Sequence, residues 1–268
     1  MTKLYIFEGV PGSGKTTSAK WLASRLGESA KLFLEGDQQH PADYESVACL
    51  TEEQLNEVEQ ECPTVRGMTI RKGERYYISY ASLYEKDINT FERLKAYDVY
   101  ELPVEDYLEV ALDKWKEFVQ QAKSGPHEYI LECCYLQNPF TFLLAKHNCS
   151  KEMIFNFLKK ITNVIMDLDP VIVYFEQDNV AENLENIRQE RPVEWFDFIT
   201  WYYTGQKYGK ERGLSGVSGV LHFLEERKEL EKEFLRGVPV RSLIINNTNA
   251  NWDNIHDRLD FELGLVEK

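Results

Sequence analysis

Residues 9 to 17 read Gly9-Val10-Pro11-Gly12-Ser13-Gly14-Lys15-Thr16-Thr17, with Gly12, Gly14 and Lys15-Thr16 completing the spacing Gly-x4-Gly-Lys-Thr from Gly9. Glycines at these places let successive backbone N–H groups curl around phosphate oxygens. Lys15 supplies a positive charge for the outer phosphates, and the Thr16 hydroxyl is placed to join the shell of a magnesium ion. Ser13, Pro11 and Thr17 complete the run. The chemistry implied is capture of a nucleoside triphosphate, ATP with Mg2+.

Such a loop works only between a strand and a helix. Leu4-Tyr5-Ile6-Phe7 is a short β-prone run, and Lys15 to Leu26 places Trp21, Leu22 and Leu26 on one helical stripe. The loop therefore opens onto a helix N-terminus, whose dipole favours an anion.

Further strands are expected over Lys31–Asp37, Tyr129–Leu136, Val171–Phe175 and Arg241–Asn247. Helices are expected over Thr51–Glu61, opening on the capping box Thr51-Glu52-Glu53-Gln54, and over Glu105–Ala122, whose apolar residues fall at helical spacing. Helical patterns also fill Phe140–Asp167 and Asn179–Gln189. Trp195–Tyr208 is rich in aromatics, Phe223–Arg236 alternates like a surface helix, and Trp252–Leu263 forms a terminal helix. Two β-prone runs joined by Lys72-Gly73-Glu74 suggest a hairpin inserted at 64–82.

In an open parallel sheet, ligands bind where strands end at their carboxyl edge. Asp37, His40 and Asp43 follow the second strand and are expected near the phosphates. Glu132 is a lone carboxylate in an apolar strand, suited to act with Thr16 on Mg2+. Arg188 and Arg191 close a helical run before Pro192.

The chain has 268 residues, 43% of them hydrophobic, including 15 Tyr, 14 Phe and 5 Trp. That is enough for one α/β domain spanning 1–268 with insertions. A net charge of -14 disfavours nucleic acid as a partner. No stretch approaches the length needed to cross a bilayer, so a soluble, cytoplasmic protein is expected. Five cysteines show no paired metal spacing, which fits reduced thiols, and Cys133 and Cys134 are expected to point to opposite faces of a strand as packing residues.

Phe7-Glu8-Gly9, the phosphate loop, the acidic strand around Glu132, the strand Val171–Phe175 and the arginine-bearing helix after it resemble, in that order, the nucleotide and nucleoside kinases, thymidylate kinases in particular. The resemblance implies a three-layer P-loop fold with a five-stranded parallel sheet, helical insertions and an arginine-bearing lid around 186–215 that holds Arg188 and Arg191. Glu132-Cys133-Cys134 stands where thymidylate kinases carry Asp-Arg-Tyr. Glu35-Gly36-Asp37 is similar to the second-strand end of small-molecule phosphotransferases of the same superfamily, which implies Asp37 as the base for an acceptor hydroxyl. Family position alone also places Asn246 to Asn249 near the purine.

The reading is therefore an ATP-dependent phosphotransferase with a small-molecule acceptor. Lys15, Asp37, Glu132, Arg188 and Arg191 are its catalytic candidates, and the acidic loop favours a neutral or cationic acceptor. A monophosphate acceptor would instead use Arg66, Arg71 and Arg75. A regulatory ATPase switch is the reading from a different class.

Overall fold

Every residue of Leu4-Tyr5-Ile6-Phe7-Glu8-Gly9 is buried, which is the condition of a strand covered by helices on both faces. The computed structural model describes residues 3–265. In it this strand, β1 (Leu4–Gly9), leads through the glycine loop into α1 (Lys15–Leu26) and then β2 (Ala30–Phe33). Next come β3 (Val47–Leu50), α2 (Glu52–Glu61), the hairpin β4 (Ile70–Lys72) and β5 (Arg75–Ser79), α3 (Ile88–Lys95) and α4 (Val104–Ser124). β6 (Glu128–Glu132), α5 (Gln137–Phe140), α6 (Lys151–Ile165) and β7 (Pro170–Glu176) follow. The remainder is α7 (Val180–Glu190), α8 (Val193–Gly205), α9 (Lys207–Arg212), α10 (Gly216–Arg236), β8 (Arg241–Asn246) and α11 (Trp252–Leu263).

The chain divides into two compact units, one holding the residues up to Glu35 and from Trp115 onward, the other Gly36–Lys114. In the first, five strands run in the order β2-β6-β1-β7-β8, and every pairing is parallel. This is the α/β architecture expected of a P-loop fold. Period-2 alternation sends Tyr5, Phe7, Val171, Val173 and Phe175 to one face, where Ala19 and Leu22 of α1 and Ile255 and Leu259 of α11 bury them. Glu8 and its register partner Tyr174 face the other way, toward α10.

The second unit carries a three-stranded antiparallel sheet, β3-β5-β4, over a core of Ala48, Leu50, Leu55, Val58, Val65, Tyr76 and Ile78. The hairpin expected at 64–82 is one part of this unit, and its first run is shorter than expected: Val65–Met68 forms a 3-10 turn before β4.

Three other expectations need correcting. β2 ends at Phe33, short of Asp37. β6 ends at Glu132, because Cys133 takes a left-handed φ of 64° and the next backbone groups turn into α5; the two cysteines are buried, but not on opposite faces of a strand. Phe223–Arg236 is no surface helix. In α10 the buried stripe Val220, Phe223, Leu224, Arg227, Lys228, Glu231, Phe234 and Leu235 has charged residues at core positions.

The Thr51 capping box forms as read. Gln54 N donates to Thr51 Oγ1 at 3.3 Å and Thr51 N donates to Gln54 Oε1 at 2.9 Å. Thr51→Ala leaves an N-terminal amide of α2 without its acceptor, and should lower the urea-unfolding free energy by about 1 kcal/mol.

Candidate active site

The loop between β1 and α1 is held from outside by its carbonyls. Lys15 Nζ donates to Gly9 O and Val10 O, both at 3.1 Å, and Arg227 Nη2 also reaches Gly9 O at 3.3 Å. Asn183 Nδ2 of α7 donates to Pro11 O, and Asn247 Nδ2, just past β8, donates to Ser13 O, both at 2.8 Å. Ser18 N takes Gly14 O at 3.1 Å. Within the loop Ser13 N donates to Val10 O at 3.2 Å, and α1 begins with no side-chain cap over its first amides.

Two of the glycines are required by their surroundings. At Gly9 (φ 140°) a Cβ would stand 2.5 Å from Phe175 O, and at Gly14 (φ 102°) 2.5 Å from the Trp252 ring. Neither place admits a side chain.

An acidic edge adjoins the loop. Thr16 Oγ1 donates to Glu132 Oε1 at 2.6 Å, and Glu35 N donates to Glu132 Oε2 at 3.3 Å. The Glu35 carboxylate accepts from Gln137 Nε2 at 2.6 Å and from the Cys133 thiol at 3.4 Å. Burial pushes that thiol well above its ordinary pKa, so it is a neutral donor. Burial opposes the Lys15 charge, whereas the Glu35 and Glu132 carboxylates beside it favour that charge, and its pKa lies above the ordinary value.

Beneath the loop lies a layer of buried charge. Glu8 Oε1 accepts from Tyr135 N and Leu136 N, both at 2.8 Å, and its Oε2 accepts from Gln137 N at 3.0 Å. Glu8 thereby sets the turn that carries Cys133 and Gln137. On the same face Arg227 Nε lies 3.2 Å from Glu231 Oε1, and Tyr174 OH donates to Glu231 Oε2 at 2.8 Å.

The structure brings Gly9, Pro11, Gly12, Ser13, Gly14, Lys15, Thr16 and Glu132 together on this edge. Thr17 follows in the first turn of α1, exposed. Asp37, His40 and Asp43 belong to the second unit. There Asp37 Oδ1 accepts from Gln39 N at 2.8 Å, as in a turn. His40 Nδ1 accepts from Ala42 N at 3.2 Å, and burial lowers its pKa to about 4, so the ring is neutral. Asp43 accepts from Tyr100 OH at 2.5 Å.

α7 docks on the loop through Asn183 and Ile187. Its Arg188 pairs with Glu185 at 3.7 Å and lies over the Phe196 ring, and Arg191 lies over Trp195. Of the asparagines expected near a purine, Asn247 is buried against the loop.

Sequence reading overlooked Glu8, Glu35, Arg227 and Glu231. Glu8 had a signal, a carboxylate inside an apolar strand. Arg227 and Glu231 had one too, since they fall on the same helical stripe as Val220, Phe223 and Phe234.

No protein-family model matches the chain, and no curated protein matches it by sequence. Among solved structures, a thymidylate kinase from Candida albicans is similar at 14% identity, over 100% of this chain and 96% of that one, with a TM-score of 0.42. No helix among the described residues is long and apolar enough to cross a membrane.

Burial pushes Glu8 up to about 7, against the pull of the Leu136, Gln137 and Tyr135 N–H groups. A raised carboxyl favours the fold fully below its unfolded value near 4.5, and that contribution is lost as pH rises through about 7. Glu8→Gln removes the titration. The stability of wild type relative to this variant should therefore fall by about 3 kcal/mol between pH 4 and pH 8, read from paired denaturation curves.

Proposed function

We propose that this chain is an ATP-dependent phosphotransferase acting on a hydroxyl of a small molecule. One observation carries the reading: a glycine loop with outward-held carbonyls and a buried lysine beside a paired threonine and carboxylate.

The residues present fit the groups this chemistry needs. Uncapped amides at the start of α1 and the Lys15 ammonium suit a polyphosphate. Thr16 Oγ1 and Glu132 Oε1, two oxygens 2.6 Å apart, suit a hard cation such as Mg2+. When bound, that ion would neutralise charge on the phosphoryl oxygens as transfer proceeds.

Lys15 then exchanges its carbonyl partners for phosphate oxygens. Glu35 takes the hydroxyl proton, being the carboxylate that shares this edge with Glu132 and is oriented by Gln137. Asp37 is the second reading for the base, on its place after β2. Arg188 and Arg191 stabilise transferred charge from the helix that docks on the loop.

A neutral or cationic acceptor is favoured over a monophosphate. The arginines a monophosphate would use are engaged: Arg66 with Glu52 at 2.9 Å and Glu59 at 2.8 Å, Arg75 with Asp106 at 2.7 Å, and Arg71 over the Tyr76 ring.

Incubation with ATP, Mg2+ and pooled nucleosides, nucleotides and hydroxyl-bearing small molecules should yield a product heavier by one phosphoryl group in mass spectrometry. Lys15→Ala should lower its formation about 100-fold or more. ADP release that only a macromolecule stimulates would replace the kinase reading with the switch. On the acceptor so found, Glu35→Gln should cost about 100-fold or more in kcat while Asp37→Asn stays near wild type; the reverse pattern would move the base to Asp37.

A further inference from the structure

Arg227 is fully buried, and of its guanidinium donors only Nη2 makes a hydrogen bond, to Gly9 O, among the described residues. Nη1 and Nε make none, although Nε is 3.2 Å from Glu231. Taking an arginine and a glutamate out of water costs several kcal/mol per ion, and apolar residues of similar volume often serve stability as well or better. The pair therefore calls for a role beyond packing.

The shared acceptor supplies that role. Lys15 Nζ and Arg227 Nη2 converge on one carbonyl, Gly9 O. To reach a phosphate, Lys15 must leave Gly9 O and Val10 O. Gly9 itself cannot shift freely, because it is the last residue of β1 and pairs in parallel register with Phe175 of β7. A buried carbonyl left without a donor is destabilising, which would oppose release of Lys15.

We propose that Arg227 is a positioning residue: it keeps the Gly9 carbonyl satisfied when Lys15 swings to the triphosphate, and so makes that swing possible. Glu231, fixed by the Tyr174 phenol, holds the guanidinium in place. Arg227 touches the loop and not the phosphates. Its effect on binding runs through Lys15. The inference rests on the triphosphate reading above.

The test is direct binding of Mg·ATP by calorimetry to wild type, Lys15→Ala, Arg227→Met/Glu231→Met and the triple variant, with melting midpoints taken without nucleotide. Replacing both members of the pair by apolar residues should leave the midpoint near wild type and weaken binding about tenfold. On the Lys15→Ala background the same pair of changes should cost nothing further, since there is no lysine left to release. A purely structural pair would show wild-type affinity in the double variant, or an equal loss on both backgrounds; either result overturns the inference.

Should the double variant not fold, Arg227→Lys takes its place. A lysine keeps the charge beside Glu231 but lacks the fork that also reaches Gly9 O. An unchanged midpoint with about tenfold weaker binding is expected, and wild-type affinity overturns the inference. Failure of the wild type to bind Mg·ATP overturns the triphosphate reading and this inference together, whereas normal binding by the variants overturns this inference alone.

Discussion

Where the carbonyls of the Gly9–Gly14 loop point decides what the rest of the unit must supply. Amides can face an anion only if the carbonyls alternating with them face elsewhere and find donors there. Three of those donors come from places distant in sequence, Arg227 on α10, Asn183 on α7 and Asn247 after β8, and two are local, Lys15 and Ser18 of α1. The parallel sheet brings them to one edge, since β1, β7 and β8 end side by side and their following helices start beside the loop.

The same constraint explains the charge buried under the loop. α10 covers the face of β1 and β7 that carries Glu8 and Tyr174, and it meets that face with Arg227 and Glu231. Glu8 spends its carboxylate on three backbone amides at the start of α5, the turn that presents Cys133 and Gln137 to Glu35. Burial raises the Glu8 and Glu231 carboxyls, while Arg227 and the Tyr174 phenol pull Glu231 back. A strand residue thus orders a helix start, and that start orders a side chain on the acidic edge.

The second unit works by different means. Its hairpin sheet is antiparallel, its core is small, and Arg66 and Arg75 are matched to carboxylates of α2 and α4. Asp37, His40 and Asp43 there serve local structure: a turn, a buried neutral ring and an acceptor for Tyr100.

The sequence by itself determined the loop, the existence of five strands, the capping box of α2 and the lone carboxylate of β6, because each is a local pattern whose physics is complete within a few residues; that the strands run parallel in one sheet was implied by the family resemblance and is a matter of tertiary pairing. Glu132 was legible because a lone charge in an apolar strand stands out. Only the tertiary structure decided which charges share the loop. Arg227 meets Gly9 from 218 positions away, and an alternation of apolar and charged residues reads as a solvated face until a buried carbonyl is seen to face it. The end of β6 was decided in the same way. Nothing local to Cys133 marks a turn, and the groups that shape it, the Glu8 carboxylate and the amides it gathers, meet only when β1 and β6 lie side by side.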